Sequence, residues 1–171
     1  AQRSLERAQR LIVLQELGPL ALSLHLREKC EVCFQSTASR RPRPAGSTLG
    51  VQAKTARHLR ALAVGHLRDE KSPQTFFALA RHFAGRDDLH FDHIGAPLDA
   101  QLGSEALALA AENQNYRYLG SLPHKQVRQR ISRAHLLIHP SQMEGGAHVM
   151  MEAVASGTPV LASRIDGNCG M

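Results

Sequence analysis

The sequence contains no tryptophan, and all its aromatic residues together make up only 4% of the chain. So small a supply argues against binding single-stranded nucleic acid by stacking bases on rings. Cysteine is also scarce: three residues exclude a disulfide-built scaffold and fit a reducing compartment. No apolar run approaches the ~20 residues of a membrane-crossing helix, and no signal-peptide pattern opens the chain. The cytoplasm is therefore the default location. Metal patterns are lacking as well. No DxD-like acidic motif occurs, and the CxxC of Cys30 and Cys33 has neither a second CxxC nor a nearby His-x(3–5)-His to complete four ligands. Positions three apart on a strand face opposite sides, so Cys30 and Cys33 are expected to be two unrelated buried thiols. The same argument separates His90 from His93.

What is present suits a soluble globular protein. Its 171 residues, 43% hydrophobic, can bury one good core, and the length allows one domain or slightly more. The net charge of +6 permits an anionic partner without identifying it. Arg40, Arg41 and Arg43, like Arg128, Arg130 and Arg133, read as solvated faces, and no nucleic-acid motif accompanies them.

The chain opens with an apolar run, Arg10 to Leu17, expected as a buried strand before the Gly18-Pro19 turn. Helix character follows over Ala21 to Arg27, then strand character over Cys30 to Ser36. Thr37 to Arg57 is rich in Ser, Pro, Gly and Arg without apolar period, and reads as a linker or mobile loop. From Leu59 onward the texture becomes regular. Strands are expected at 62–67, 89–94, 116–119, 136–139 and 159–162, with helices at 72–84, 99–112, 124–133 and 147–156. Ser72 is placed as an N-cap before Pro73, and Gly85 as the stop of the same helix. Such alternation predicts an α/β fold, a Rossmann-like parallel sheet with helices on both faces. Ligands of these sheets bind beyond the carboxyl ends of the strands, so the loops there are where chemistry is expected.

One of those loops is the focus of the chain: PSQMEGGAHVMMEAVASGTPVLASRIDG, Pro140 to Gly167. Glu144 precedes Gly145-Gly146, and Glu152 follows within the apolar run of the next helix. Paired glycines admit close backbone approach, and free N–H groups at a helix start near Ala147 favour an anion. If the intervening segment is mostly helical, the two carboxylates lie roughly 12 Å apart. Glycosidase pairs sit roughly 5 to 9.5 Å apart, so a two-carboxylate hydrolase fits poorly. The spacing suits two ends of one long ligand.

This pattern resembles the E-x7-E motif of the retaining, GT-B-fold glycosyltransferases of family 4 (group 1). The matching residues are Pro140, Ser141, Glu144, Gly145, Val149, Glu152, Ala153, Gly157, Thr158, Pro159, Val160, Ala162, Ser163 and Gly167. Departures are Gly146, where an aromatic is usual, Ala147, where glycine is usual, and His148, where an aliphatic residue is usual. The resemblance implies that Glu144 and the Gly145-Gly146 backbone meet the donor sugar and that Glu152 holds the ribose. In GHLRDEKSP it implies that Lys71, with either His66 or Arg68, clasps the donor diphosphate, and that the loop through Leu122 surrounds the base. Ala147 and His148 lie beside the ligand. Lys71, His66 and Glu144 are then the residues expected at the reacting centre.

Together, GHLRDEKSP and MEGGAHV are most similar to the selenosugar synthase-like subgroup, whose members join selenophosphate to a UDP-sugar. The implied partners are a nucleotide-sugar donor and a small anionic or sugar acceptor, with no cofactor, metal or nucleic acid. On this resemblance residues 1–36 end an acceptor-side domain that is mostly missing from the chain. Residues 37–58 link it to a truncated donor-binding domain at 59–171, the C-terminal half of a GT-B fold, inactive alone. The alternatives are a non-catalytic nucleotide- or nucleic-acid-binding module, or a sugar epimerase of the same fold.

Overall fold

A computed structural model describes residues 2–37 and 58–171. The expected linker falls almost wholly outside these residues, as do Arg40, Arg41 and Arg43. Seven strands are assigned among the described residues: β1 (Leu11–Val13), β2 (Cys30–Val32), β3 (Leu59–Val64), β4 (Leu89–Ile94), β5 (Tyr116–Tyr118), β6 (Leu136–His139) and β7 (Val160–Ala162). The helices are α1 (Gln2–Arg7), α2 (Leu24–Arg27), α3 (Pro73–His82), α4 (Ala100–Glu112), α5 (His124–Arg133), α6 (His148–Ala155) and α7 (Asp166–Cys169). Strands β3 to β7 form one parallel sheet in the order β5-β4-β3-β6-β7. The order reverses direction at β3, where one crossover leads outward to β4 and β5 and the other to β6 and β7. Such a switch point opens a crevice at the carboxyl ends of the central strands.

Alternation along β3 divides the core. Ala61 and Ala63 face a cluster with Phe76, Phe77, Phe91, Leu102, Leu109 and Tyr116, under α3 and α4. Leu62 faces the opposite way, toward Ile94, Ile131, Leu137 and Ala153 under α5 and α6. His93 belongs to the first side, 5.4 Å from the ring of Phe76, with Nδ1 3.1 Å from the Tyr116 hydroxyl. Burial holds its pKa down at about 4. His90 instead meets the His58 ring, tilted at 55° with centroids 5.4 Å apart.

The expected elements of the second segment all form, with shifted ends. The first strand runs 59–64 rather than 62–67, because Leu59 already pairs with Leu89 and the chain turns at Gly65. Leu67 is fully buried beyond the strand, in a lone parallel bridge to Pro97. Ser72 does occupy the N-cap position of α3 but makes no capping bond. Its φ is +46°, and its hydroxyl is buried without a partner. Asp99 provides a working cap instead, accepting from Leu102 N at 2.9 Å for α4. Gly85 does not close α3, which ends at His82 with Phe83 as its cap.

The first segment departs further from expectation. Its strands are three residues each and pair only with each other, in parallel. Ile12, Val32 and Phe34 are exposed. Cys33 is exposed and Cys30 half-buried, so the pair is not the two buried thiols that strand character suggested. The segment touches the rest through Gln15, whose Oε1 stands where a Cβ on Gly170 would lie, while Glu16 N donates to Gly170 O.

Two glycines test how tightly the sheet edge is built. A Cβ on Gly95 would stand 1.9 Å from the carbonyl oxygen of Gly65, which is backbone and cannot swing away. At Gly85 a Cβ would meet nothing within 4 Å. Gly95→Ala is expected to destabilise by about 1–3 kcal/mol or more, and Gly85→Ala to be neutral or slightly stabilising. Thermal unfolding of the two variants checks this.

Candidate functional site

The strand ends are drawn together by backbone contacts between loops. Gly95 N donates to Gly120 O at 2.9 Å, Leu67 N to Ala96 O at 2.9 Å, and Gln142 N to Glu70 O at 2.9 Å. Gly120 adopts φ +62°, which suits a residue without Cβ. Between these loops lies a cleft of about 360 Å³. Its walls include Gly65, His66, Arg68 and Lys71 after β3, Ser121 and Leu122 after β5, and Glu144 with Gly146 to Val149 after β6.

At its centre Lys71 Nζ lies 2.5 Å from Glu144 Oε1, with Lys71 only 20% and Glu144 only 7% exposed. The Lys71 stem packs over Gly65. His139, at the end of β6, is buried with Nε2 2.9 Å from the same oxygen, off the line of a good hydrogen bond. Burial alone would raise the Glu144 pKa, but contacts from His139, Lys71 and Ser141 and the charge of Lys71 outweigh it and hold it at about 2. Glu144 is therefore a carboxylate at any ordinary pH, an acceptor rather than a general acid. Its backbone is fixed too: a Cβ on Gly167 would stand 1.9 Å from Glu144 O. Ser163, donating to Ser141 O, and Asn168, donating to Ser163 O at 2.9 Å, brace the same rim.

Helix α6 starts at His148, so the segment between the two glutamates is helical only in its second half. No side chain caps this end. The Ala147 N–H meets only the thioether of Met171, at 3.1 Å, a weak acceptor that an anion would readily replace. Glu152 lies one turn farther on and is buried at 4% exposure. Its Oε1 is 2.5 Å from His124 Nε2 and 3.6 Å from His148 Nε2. Glu152 thus stands beside the cleft behind two imidazoles rather than in its wall.

Of the residues expected at the site, His66, Arg68, Lys71, Leu122, Glu144, Gly146, Ala147 and His148 share the one cleft. Gly145 is exposed outside its wall and Glu152 buried behind it. His66 and Arg68 differ in how their polar groups are engaged. His66 Nδ1 already accepts from Ala96 N at 3.0 Å. Arg68 is half-exposed and only loosely paired, 3.8 Å from Glu70. Gly146 also has a packing reason, since a Cβ there would stand 3.0 Å from Leu14 Cβ.

Sequence reasoning missed His124 and His139. The first is 28 residues from Glu152, and only its place after the Leu122-Pro123 turn hinted at the cleft. The second adjoins the Pro140-Ser141 match and was readable only as a strand end.

The cleft lies at the carboxyl edge of a parallel α/β sheet, at the switch point of the strands, with Arg68, Lys71 and Glu144 in its wall. The family is also identified: the model for "Glycosyl transferases group 1" matches residues 51–171, and the chain belongs to that family. No curated protein sequence matches. Solved structures of similar fold include HepE of Anabaena in complex with UDP and glucose (TM-score 0.72, 18% identity, 99% of this chain and 50% of that one). A mutant of S. aureus TarM in complex with fondaparinux, alpha-GlcNAc-glycerol and UDP is also similar (TM-score 0.70, 16% identity, 95% and 31%). So is WaaG, a glycosyltransferase involved in lipopolysaccharide biosynthesis (TM-score 0.65, 18% identity, 92% and 45%). The chain therefore spans a third to a half of the proteins it resembles, and its sheet is that of the GT-B glycosyltransferases. Among the described residues no helix is long and apolar enough to cross a membrane.

The depressed pKa of Glu144 has a sign that can be measured. A carboxyl group whose folded pKa lies below its unfolded value adds stability above about pH 4.5, and that stability is lost as pH falls toward about 2. Wild type should lose more stability than Glu144→Gln over that interval, by about 1–3 kcal/mol. Denaturant midpoints at pH 6 and pH 3 read this difference.

Proposed function

We propose that the chain is the donor-binding part of a glycosyltransferase and holds a UDP-sugar in the cleft between Lys71 and α6. The observation that carries this is the meeting of Lys71, Arg68, Glu144 and the uncapped start of α6 in one crevice, in a member of this family. The HepE complexes with UDP and with UDP-glucose support the base and diphosphate. So does the pneumococcal O-GlcNAc transferase GtfA in complex with UDP and GlcNAc.

Lys71 and Arg68 would meet the diphosphate from one side and the α6 N–H groups from the other. Charge developing on the leaving diphosphate is then stabilised by fixed donors. Glu144, unprotonated and anchored by His139, accepts hydrogen bonds from sugar hydroxyls. Ser121 and Leu122 flank the base. Glu152 takes the ribose hydroxyls once His124 yields the oxygen it holds. In this reading residues 1–36 belong to the acceptor-side domain and residues 59–171 to the donor side. Transfer needs the opposing wall to position the acceptor and exclude water.

The acceptor in this proposal is selenophosphate or a related small anion. It is favoured by Gly146 in place of the family's usual aromatic and by the cations Arg68 and Lys71, which line the cleft with His148. A small anion needs positive charge at the reacting face rather than an extended groove.

Glu152→Ala is expected to weaken UDP binding by about tenfold or more, with little loss of fold. Unchanged UDP affinity by calorimetry in a folded variant sinks the ribose assignment. The acceptor is tested separately, by incubating the full-length protein with UDP-glucose or UDP-N-acetylglucosamine plus selenophosphate. A selenosugar mass is expected. Efficient transfer to a lipid or oligosaccharide without one overturns the acceptor and leaves the donor reading standing.

A further inference from the structure

We propose that the opposite edge of the sheet carries a second anion site, suited to a diphosphate group and built by Arg60, Arg130 and Arg133. Arg60 is the second residue of β3, and its backbone is tied to His135, just before β6 begins. This is the edge where the parallel strands start, while the cleft lies where they end. Arg130 and Arg133 occupy the last turn of α5, which starts near the cleft at His124 and runs back to the same edge.

The charge balance there is uneven. Asp92 on β4 is 1% exposed and faces three guanidinium groups. Arg117 takes both of its oxygens, at 2.8 and 2.9 Å. Arg60 and Arg130 approach only to 3.7 and 3.6 Å, beyond hydrogen-bond distance. Arg60 Nε is buried and without an acceptor. Three guanidinium groups thus share one buried carboxylate, which leaves positive charge on their exposed ends for an external anion.

The space is present as well. Arg60, Gln126, Gln129, Arg130 and Arg133 line a recess of about 410 Å³, with the helix positions spaced i, i+3, i+4 and i+7 on one face. Among the described residues no acidic side chain lines it. Guanidinium forks match phosphate oxygens in pairs, and glutamine amides add neutral donors. Among the described residues no ring lines the recess to stack a base, so the chemistry fits a phosphate group itself, whether free or on a lipid head. The site stands apart from the cleft and does not depend on what the cleft holds.

The probe is inorganic pyrophosphate, titrated calorimetrically into the chain in the presence of excess UDP, at low salt. Binding that persists with UDP present is expected. Arg133→Glu and Gln129→Glu should each weaken it about tenfold or more, and Lys125→Glu, on the same helix but outside the recess, should leave it within about twofold. Co-sedimentation with phosphatidylglycerol vesicles against phosphatidylcholine vesicles then assigns the source, since a headgroup site gives vesicle binding that Arg133→Glu removes. The site is overturned by no binding to either probe, by full competition from UDP, or by an equal loss in Lys125→Glu, which would mean net charge alone. Circular dichroism melts of the variants, expected to match wild type, show that any loss is local.

Discussion

The ion pair between Lys71 and Glu144 joins two loops 73 residues apart and sets what the cleft can do. In open water such a pair is worth little. Here both partners are largely withdrawn from solvent, so each depends on the other for a counter-charge. On the proposed reading, an arriving diphosphate would offer Lys71 a stronger anionic partner, and the released lone pairs of Glu144 would become available to sugar hydroxyls. His139 lies buried against the same carboxylate oxygen, 2.9 Å away. On that reading the site is already charged and arranged, and donor binding becomes an exchange of partners rather than the assembly of a site.

That arrangement rests on backbone placement more than on side chains. Gly95 lies against the Gly65 carbonyl and Gly167 against the Glu144 carbonyl, each at a distance no Cβ would allow. The first contact joins the loops after β3 and β4, the second joins the loop after β6 to α7, and the Gln142–Glu70 bond ties the two pairs together. The order of strands does the rest, because the crevice opens where the two crossovers diverge from β3. At the opposite edge the same sheet gathers arginines around one buried carboxylate, so the molecule carries positive charge at both ends of its strands.

The alternating elements from β3 onward were legible because their signals are local: apolar period, turn glycines and the proline at the start of α3. The cleft was legible for the same reason, since its residues fall in short runs. What escaped depends on register and on distant pairing. Asp92 looks like a polar interruption in a strand until β5 brings Arg117 beside it. His124 and Glu152 meet only when α5 and α6 pack together. Ser72 misled because a serine before proline looks like a cap, whereas its backbone is left-handed and its hydroxyl buried. In the first segment, apolar runs suggested buried strands, but two short strands pairing only with each other leave one face without a core.

The central claim is that the carboxyl edge of the sheet binds UDP through the loops around Lys71 and Glu144. Amide resonances of the isotopically labelled chain, followed by nuclear magnetic resonance during a UDP titration, test it most directly. The account predicts saturable shifts concentrated at Gly65 to Lys71, Ser121 to Leu122 and Glu144 to Val149, with Arg60 and Arg133 unmoved. Shifts absent altogether, or centred on Arg60 and the end of α5, would contradict it.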